Sequence, residues 1–244
     1  MNWSWDVIID YFPRLLDGVW VTLELVFLSG LFGLLLAVPL ALMRASPNRW
    51  LRILPFGYIF FFRGTPLLVQ IFLIYYGSSQ FDAVRESALW PILKEPYWCA
   101  IIAFTLNTAA YSAELIRGAI QAIPKGELEA ADAFGMSKAL KIRRIVLPRA
   151  FGIVLPAYGN ELILMLKSSS LASTITLLDI TGAARTIIAR TYTPLEIFFA
   201  AGMLYLVISA IMIGGFRLLE RRLNRHQHYR GPDEVAKVDP RLAE

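Results

Sequence analysis

The amino-acid sequence predicts an all-α integral membrane protein with five transmembrane helices, its N-terminus outside and its C-terminus in the cytoplasm. Three observations carry this expectation. Hydrophobic residues fill 57% of the 244 positions and charged residues only 18%, whereas soluble domains hold roughly 45–50% apolar residues. Five stretches, near 20–43, 53–77, 98–120, 150–171 and 197–219, approach or exceed the roughly 20 apolar residues needed to cross a hydrocarbon core. The basic residues also alternate between sides. Arg44, Arg49 and Arg52 lie between the first two stretches, Lys125, Lys138, Lys141, Arg143, Arg144 and Arg149 between the third and fourth, and Arg217, Arg221, Arg222, Arg225 and Arg230 follow the fifth. Cytoplasmic loops collect Lys and Arg in this way. The opposite side holds fewer cations and the acids Asp6, Asp10, Asp17, Asp82, Glu86 and Glu95. The net charge of +5 is mostly this asymmetry, so no nucleic-acid partner is needed to explain it.

Taken along the chain, residues 1–17 read as a separate segment. Trp5, Ile8, Phe12 and Leu15 recur at helical spacing among acidic residues, the pattern of an amphipathic helix on the outer membrane surface rather than a cleaved signal peptide. Residues 18–222 form the membrane domain, and residues 223–244 a polar cytoplasmic tail. Within that tail His226 and His228 supply two ligands without a third, too few for a metal site. The single Cys99 excludes an internal disulfide.

The loop at 124–148 is the most informative segment between spans. Pro124 suits a helix start, and Glu127 and Glu129 suit its positive end. Gly135 suits the left-handed residue that closes a helix, and Ser137 the cap of a second, basic helix. Leu128, Ala131 and Phe134 share one face, which predicts an apolar knob below the membrane. A solvated loop hairpin fits the periodicity equally well.

The run Glu129-Ala130-Ala131, then Gly135, then Ile145, Leu147 and Pro148 resembles the EAA loop of binding-protein-dependent ABC permeases. In that family the loop is the coupling helix that docks on an ATPase subunit, so the resemblance assigns coupling to Glu129, Ala130, Ala131, Phe134 and Gly135. Phe62-Arg63-Gly64-Thr65-Pro66, Leu106-Asn107-Thr108-Ala109-Ala110-Tyr111 and Pro156-Ala157-Tyr158-Gly159-Asn160-Glu161 are similar to polar amino-acid permeases. The similarity runs from Gly18 to Arg222 and is nearest the M-type subunits of histidine, arginine/ornithine and opine permeases. It implies a type I importer architecture in a bacterial inner membrane, with a second, Q-type permease, two ATPase subunits and a periplasmic solute-binding protein as partners. ATP and Mg would bind to the ATPase, and this chain would bind no cofactor. Lys167 stands where the histidine-permease pattern has His.

The chemistry of the spans agrees with a transport path for a basic amino acid or opine. Pro66 cannot donate to the carbonyl four residues back, so span two is predicted to kink or break there, and interrupted segments mark binding regions in transporters. Glu24, Glu114, Arg117, Glu161 and Lys167 lie within or at the edges of spans, where a charge costs on the order of 2.5–3.5 kcal/mol unless it faces a cavity or a partner. Asn107, Tyr111 and Glu114 share a helix face by spacing. The expected path residues are therefore Glu161, Asn107, Tyr111, Glu114, Arg63 and Lys167, with Glu161 as acceptor for a cationic side chain. A fixed ion pair of Glu161 with Lys167 or Arg63 is the competing reading. The chain carries no Gly-x-x-x-x-Gly-Lys-Ser/Thr run, and its spans hold no His or Asp to serve as the base or the paired aspartates of an intramembrane protease, so it reads as a transport subunit and not an enzyme. An ion-coupled secondary transporter subunit is the alternative, although no internal repeat is visible.

Overall fold

The computed structural model describes residues 3–223, so the His226 and His228 pair and nearly all of the polar tail lie outside the described residues. Eight helices organise the described chain. α1 is Trp5–Ala45, α2 is Arg49–Gly64 and α3 is Leu67–Gly77, whose last five residues form a π turn. α4 is Pro96–Gln121, α5 is Lys125–Ala133 and α6 is Lys138–Ile175. α7 is Ile180–Thr191 and α8 is Pro194–Leu223. Two single helical turns, Asp82–Arg85 and Trp90–Leu93, connect α3 to α4. α1, α4, α6 and α8 are each long and apolar enough to cross a membrane, and α2 with α3 makes a fifth if the bent pair is one span.

The first correction concerns residues 1–17. From Trp5 on they form no separate helix: α1 runs for 41 residues without a break, about 60 Å at 1.5 Å per residue, twice the thickness of a hydrocarbon core. Tertiary contact holds its first turns. Trp3 meets Phe199 of α8 edge-on at 5.5 Å, and Leu15 is fully buried. Gly18 sits so close to the start of α7 that a Cβ would lie 2.9 Å from the Asp179 backbone. A glycine that reads as a helix weakness is here the point where two backbones meet.

Contacts along α1 set the direction of α4 and of α6. Glu24 accepts from the Tyr97 hydroxyl at 3.2 Å, Gly33 approaches Thr108, and Arg44 pairs with Glu114, so α4 runs parallel to α1. Gly30 accepts from the Tyr158 hydroxyl at 2.8 Å, Leu25 shares a core with Leu166 and Ala41 one with Val146, so α6 runs antiparallel. The ends of α1 and α4, the helix α5 and the start of α6 therefore gather at one end of the bundle. A core of Leu25, Phe104, Leu166, Ile180, Ile187 and Ile197 fills the other half. Near α5 the core switches to Ala37, Ala41, Ala110, Ala113 and Ala150, small residues that let helices approach closely in an apolar solvent.

α6 supplies the second correction. The basic helix expected after Ser137 and the fourth span expected from 150 are one element. Pro148 has no N–H to donate, and the π turn at Ile142–Val146 immediately before it shifts the hydrogen-bond register so the helix continues. At its far end α6 tightens into a 3-10 turn, Ser169–Ile175, where Ser169, Ser170, Ser173 and Thr174 each donate to the carbonyl three residues back. The stretch between the fourth and fifth apolar segments contains α7. Its signal was present in the sequence: Asp179 caps the helix by accepting from Thr181 N and Gly182 N.

Candidate functional site

The break between α2 and α3 creates the site. The two helices meet at 106°, a bend whose origin is Pro66: without an N–H, it leaves the Phe62 carbonyl unpaired. Gln70 Nε2 donates to that carbonyl at 2.9 Å, and Asn107 Nδ2 donates to it at 3.3 Å. Gln70 also donates to the Thr65 carbonyl and hydroxyl, and its own Oε1 accepts from Asn107 at 3.0 Å. Backbone away from water must be satisfied in this way. Gln70, 2% exposed, is the residue sequence reasoning missed. The signal that would have found it is a buried amide one helical turn beyond a proline in a span.

The bend opens a cavity of about 500 Å³ lined by Arg63, Thr65, Pro66, Asn107, Tyr111, Glu161 and Ser168. The Arg63 guanidinium lies 5.1 Å from the centre of the Tyr111 ring, a cation–π contact that holds it at the cavity wall. Glu161 is partly buried there and makes no ion pair with Arg63 or Lys167 among the described residues. Of the six expected path residues the fold brings Arg63, Asn107, Tyr111 and Glu161 to one cavity. Lys167 is exposed and does not line it. Glu114 faces a neighbouring compartment, where it pairs with Arg117 at 2.7 Å and with Arg44 at 3.6 Å.

Asn107 is thus committed to the helix break, which makes Gln70 and Asn107 positioning residues. Gln70→Leu keeps the bulk but leaves the Phe62 and Thr65 carbonyls short of donors, a loss of roughly 1–3 kcal/mol. The expected result is a lower thermal unfolding midpoint of the purified protein with its assembly partners; an unchanged midpoint would show that the break stands without this network.

The second cluster lies at the end of the bundle. α5 closes as its sequence predicts: Gly135 adopts φ +70°, Met136 N donates to Ala131 O at 3.1 Å, and Gly135 N donates to Asp132 O at 2.9 Å, the paired bonds of a Schellman turn. Ser137 then caps α6 by accepting from Leu140 N. The expected apolar knob does not form as one face. Ala131 is buried and Leu128 packs on the Ala-rich core, so Phe134, 86% exposed, projects alone beside exposed Glu129, Ala130 and Gly135. Leu128 and Ala131 instead bind α5 to the bundle, a role the shared face conceals because periodicity gives a face but not its partner. Glu127 accepts two hydrogen bonds from Arg149 of α6. These hold its carboxyl below its ordinary value, so the pair is fully charged at neutral pH. Lys141 Nζ adds a 2.5 Å bond to Asp132. Helix α5 is therefore fastened to α6 by two ion pairs, while Leu128 packs on the Ala-rich core.

A bent span around a polar cavity and an end helix held by two ion pairs coincide with a family pattern: residues 30–225 match the binding-protein-dependent transport system inner membrane component family. The chain belongs to that family. The permease is 51% identical to the nopaline transport system permease protein NocM of Agrobacterium fabrum, over 98% of both chains. It is 53% identical to the octopine transport system permease protein OccM of Rhizobium meliloti over 86% of each, and 44% identical to the arginine ABC transporter permease protein ArtM of Escherichia coli over 87% of this chain and 96% of that one. Among solved structures, an amino acid ABC transporter crystallised with histidines superposes with a TM-score of 0.80 at 35% identity, covering 91% of this chain and 100% of that one. The MetNI methionine transporter, at 19% identity and TM-score 0.74 over 88% of this chain and 98% of that one, shares the fold. The permease is a multi-pass inner-membrane transport component, and its relatives are permease subunits rather than enzymes.

Proposed function

We propose that this permease imports a basic amino acid or an opine, driven by ATP that a separate ATPase subunit hydrolyses. The observation that carries the reading is the cavity at the break of span two, where an unpaired carboxylate, Glu161, and a guanidinium, Arg63, share one wall system. A ligand with a cationic side chain and a carboxylate finds a charge-assisted partner for each end. Nopaline, octopine and arginine, the ligands named for the relatives, have this bipolar character.

In this reading the chain crosses the membrane five times, with the N-terminus outside and the C-terminus in the cytoplasm. Support comes from the parallel course of α1 and α4, which puts their basic ends with α5 on one side, as the positive-inside rule requires. A second permease subunit completes the path, a solute-binding protein delivers ligand at the outer face, and paired ATPases engage Phe134 and Glu129 from below. ATP and Mg bind there and not in this chain. Because α5 is fastened to α6 through the Arg149–Glu127 and Lys141–Asp132 pairs, closure of the ATPase pair moves α6, and with it Glu161, as one body.

Uptake of labelled arginine, ornithine, lysine and histidine into proteoliposomes holding the four-component complex tests the reading. Saturable uptake that requires internal ATP is expected. Uptake driven by a proton or sodium gradient without ATP would replace it with an ion-coupled transporter.

A further inference from the structure

A second compartment, of about 420 Å³, adjoins the Glu161 cavity and is lined by Arg44, Phe56, Ile59, Phe60, Arg63, Gly64, Tyr111 and Glu114. Arg63, Gly64 and Tyr111 belong to both, so the Arg63–Tyr111 contact is the partition between them. Arg44 lies in the last turn of α1 and Glu114 about two turns before the end of α4. The compartment therefore sits between the first cavity and the α5 end of the bundle.

Its polar atoms are incompletely used. Glu114 Oε2 is taken by Arg117, but Glu114 Oε1 and Arg44 Nε are both buried without a hydrogen-bond partner, 3.6 Å apart. The Arg44 guanidinium is held by stacking, its carbon 5.0 Å from the centre of the Phe56 ring. Buried charged atoms are nearly always hydrogen-bonded. An acceptor and a donor held side by side, paired by charge at 3.6 Å but neither of them hydrogen-bonded, match the head of a zwitterionic α-amino acid, which carries its ammonium and carboxylate on one carbon. Two guanidinium groups, Arg44 and Arg63, line the compartment against one carboxylate, Glu114, whose Oε1 accepts no hydrogen bond, so the recognition is weighted towards the ligand carboxylate. Phe56, Ile59 and Phe60 supply apolar walls for the remainder.

We propose that this compartment is a second binding station on the path, reading the α-carboxylate and α-ammonium of the ligand after the Glu161 cavity has read its cationic side chain. The proposal rests on the importer reading above. It assigns to Arg44 a ligand contact and to Arg63 a hand-over role, since its guanidinium serves both compartments.

Cys99 is the only cysteine and is buried, so Leu164→Cys in the first cavity and Phe60→Cys in the second each introduce one accessible thiol; both positions are exposed and line one compartment only. Their rates of modification by a small methanethiosulfonate are followed on this chain by mass in the nucleotide-free assembled complex, with arginine or with agmatine, which is arginine without its carboxylate. Arginine is expected to protect both thiols and agmatine only the one at Leu164→Cys. Adding Arg44→Gln is expected to raise the arginine dissociation constant read at Phe60→Cys roughly tenfold, the loss of one charge-assisted bond, and to leave the one read at Leu164→Cys unchanged. Protection at Leu164→Cys alone would overturn the second station while leaving the importer reading standing. Equal protection of both thiols by agmatine would also overturn it, and this arm needs no change at Arg44 should that variant fail to assemble. Protection at neither position would remove both readings.

Discussion

Glu161→Gln is expected to lower arginine import by about 10- to 100-fold, the equivalent of the roughly 1.5–3 kcal/mol that a hydrogen bond to a charged group contributes. Glu161 stands at the wall of the cavity without an ion pair to Arg63 or Lys167 among the described residues, so its neutralisation breaks no ion pair between helices. Assembly with the ATPase and the thermal midpoint should remain near the parent values, and a neutral isostere such as citrulline should lose little. Uptake measured beside complex yield decides the matter. If both fell together, Glu161 would be holding helices, and the cavity would need another acceptor for the cationic side chain.

The second large effect is expected at Gly135. Its φ of +70° costs an ordinary L-residue about 1–2 kcal/mol and a β-branched residue more. No atom lies within 4 Å of a Cβ built there, so the penalty belongs to the backbone and not to crowding. Gly135→Val should therefore insert and accumulate normally but lose ligand-stimulated ATPase activity by about tenfold, because the Schellman turn that aims Phe134 unwinds. Gly135→Asn, which tolerates the left-handed region, should retain most of it. Stimulated activity that ranked these variants by side-chain size instead, with Asn as damaging as Val, would point to a docking surface that cannot accept any side chain at this position.

Both predictions join a residue legible in the sequence to a context that was not. The composition, the apolar stretches and the placement of Lys and Arg sufficed for a helical membrane protein, because the bilayer leaves a spanning chain few ways to satisfy its backbone. The turn at Gly135, the cap at Ser137 and the break at Pro66 were equally readable, since each is a local property of φ or of a missing donor. The resemblance of Glu129-Ala130-Ala131 to the coupling loop pointed to the family that the match over residues 30–225 established.

Contact decided the rest. Residues 5–17 joined α1, where Leu15 is buried and Gly18 meets the start of α7, and α6 ran through Pro148 because a π turn absorbed the missing bond. Leu128 and Ala131 turned inward and left Phe134 alone outside. Most tellingly, Asn107 and Tyr111, equivalent by spacing on α4, separated in role: one satisfies the carbonyl that Pro66 orphaned, the other supports Arg63 at the cavity wall. By itself the sequence determined which residues are polar within an apolar chain and where the helices must start, bend or stop. Only the tertiary structure decided which of those polar groups spend their hydrogen bonds on the protein and which remain for a ligand, because that depends on the atoms that distant segments bring within about 3 Å of one another.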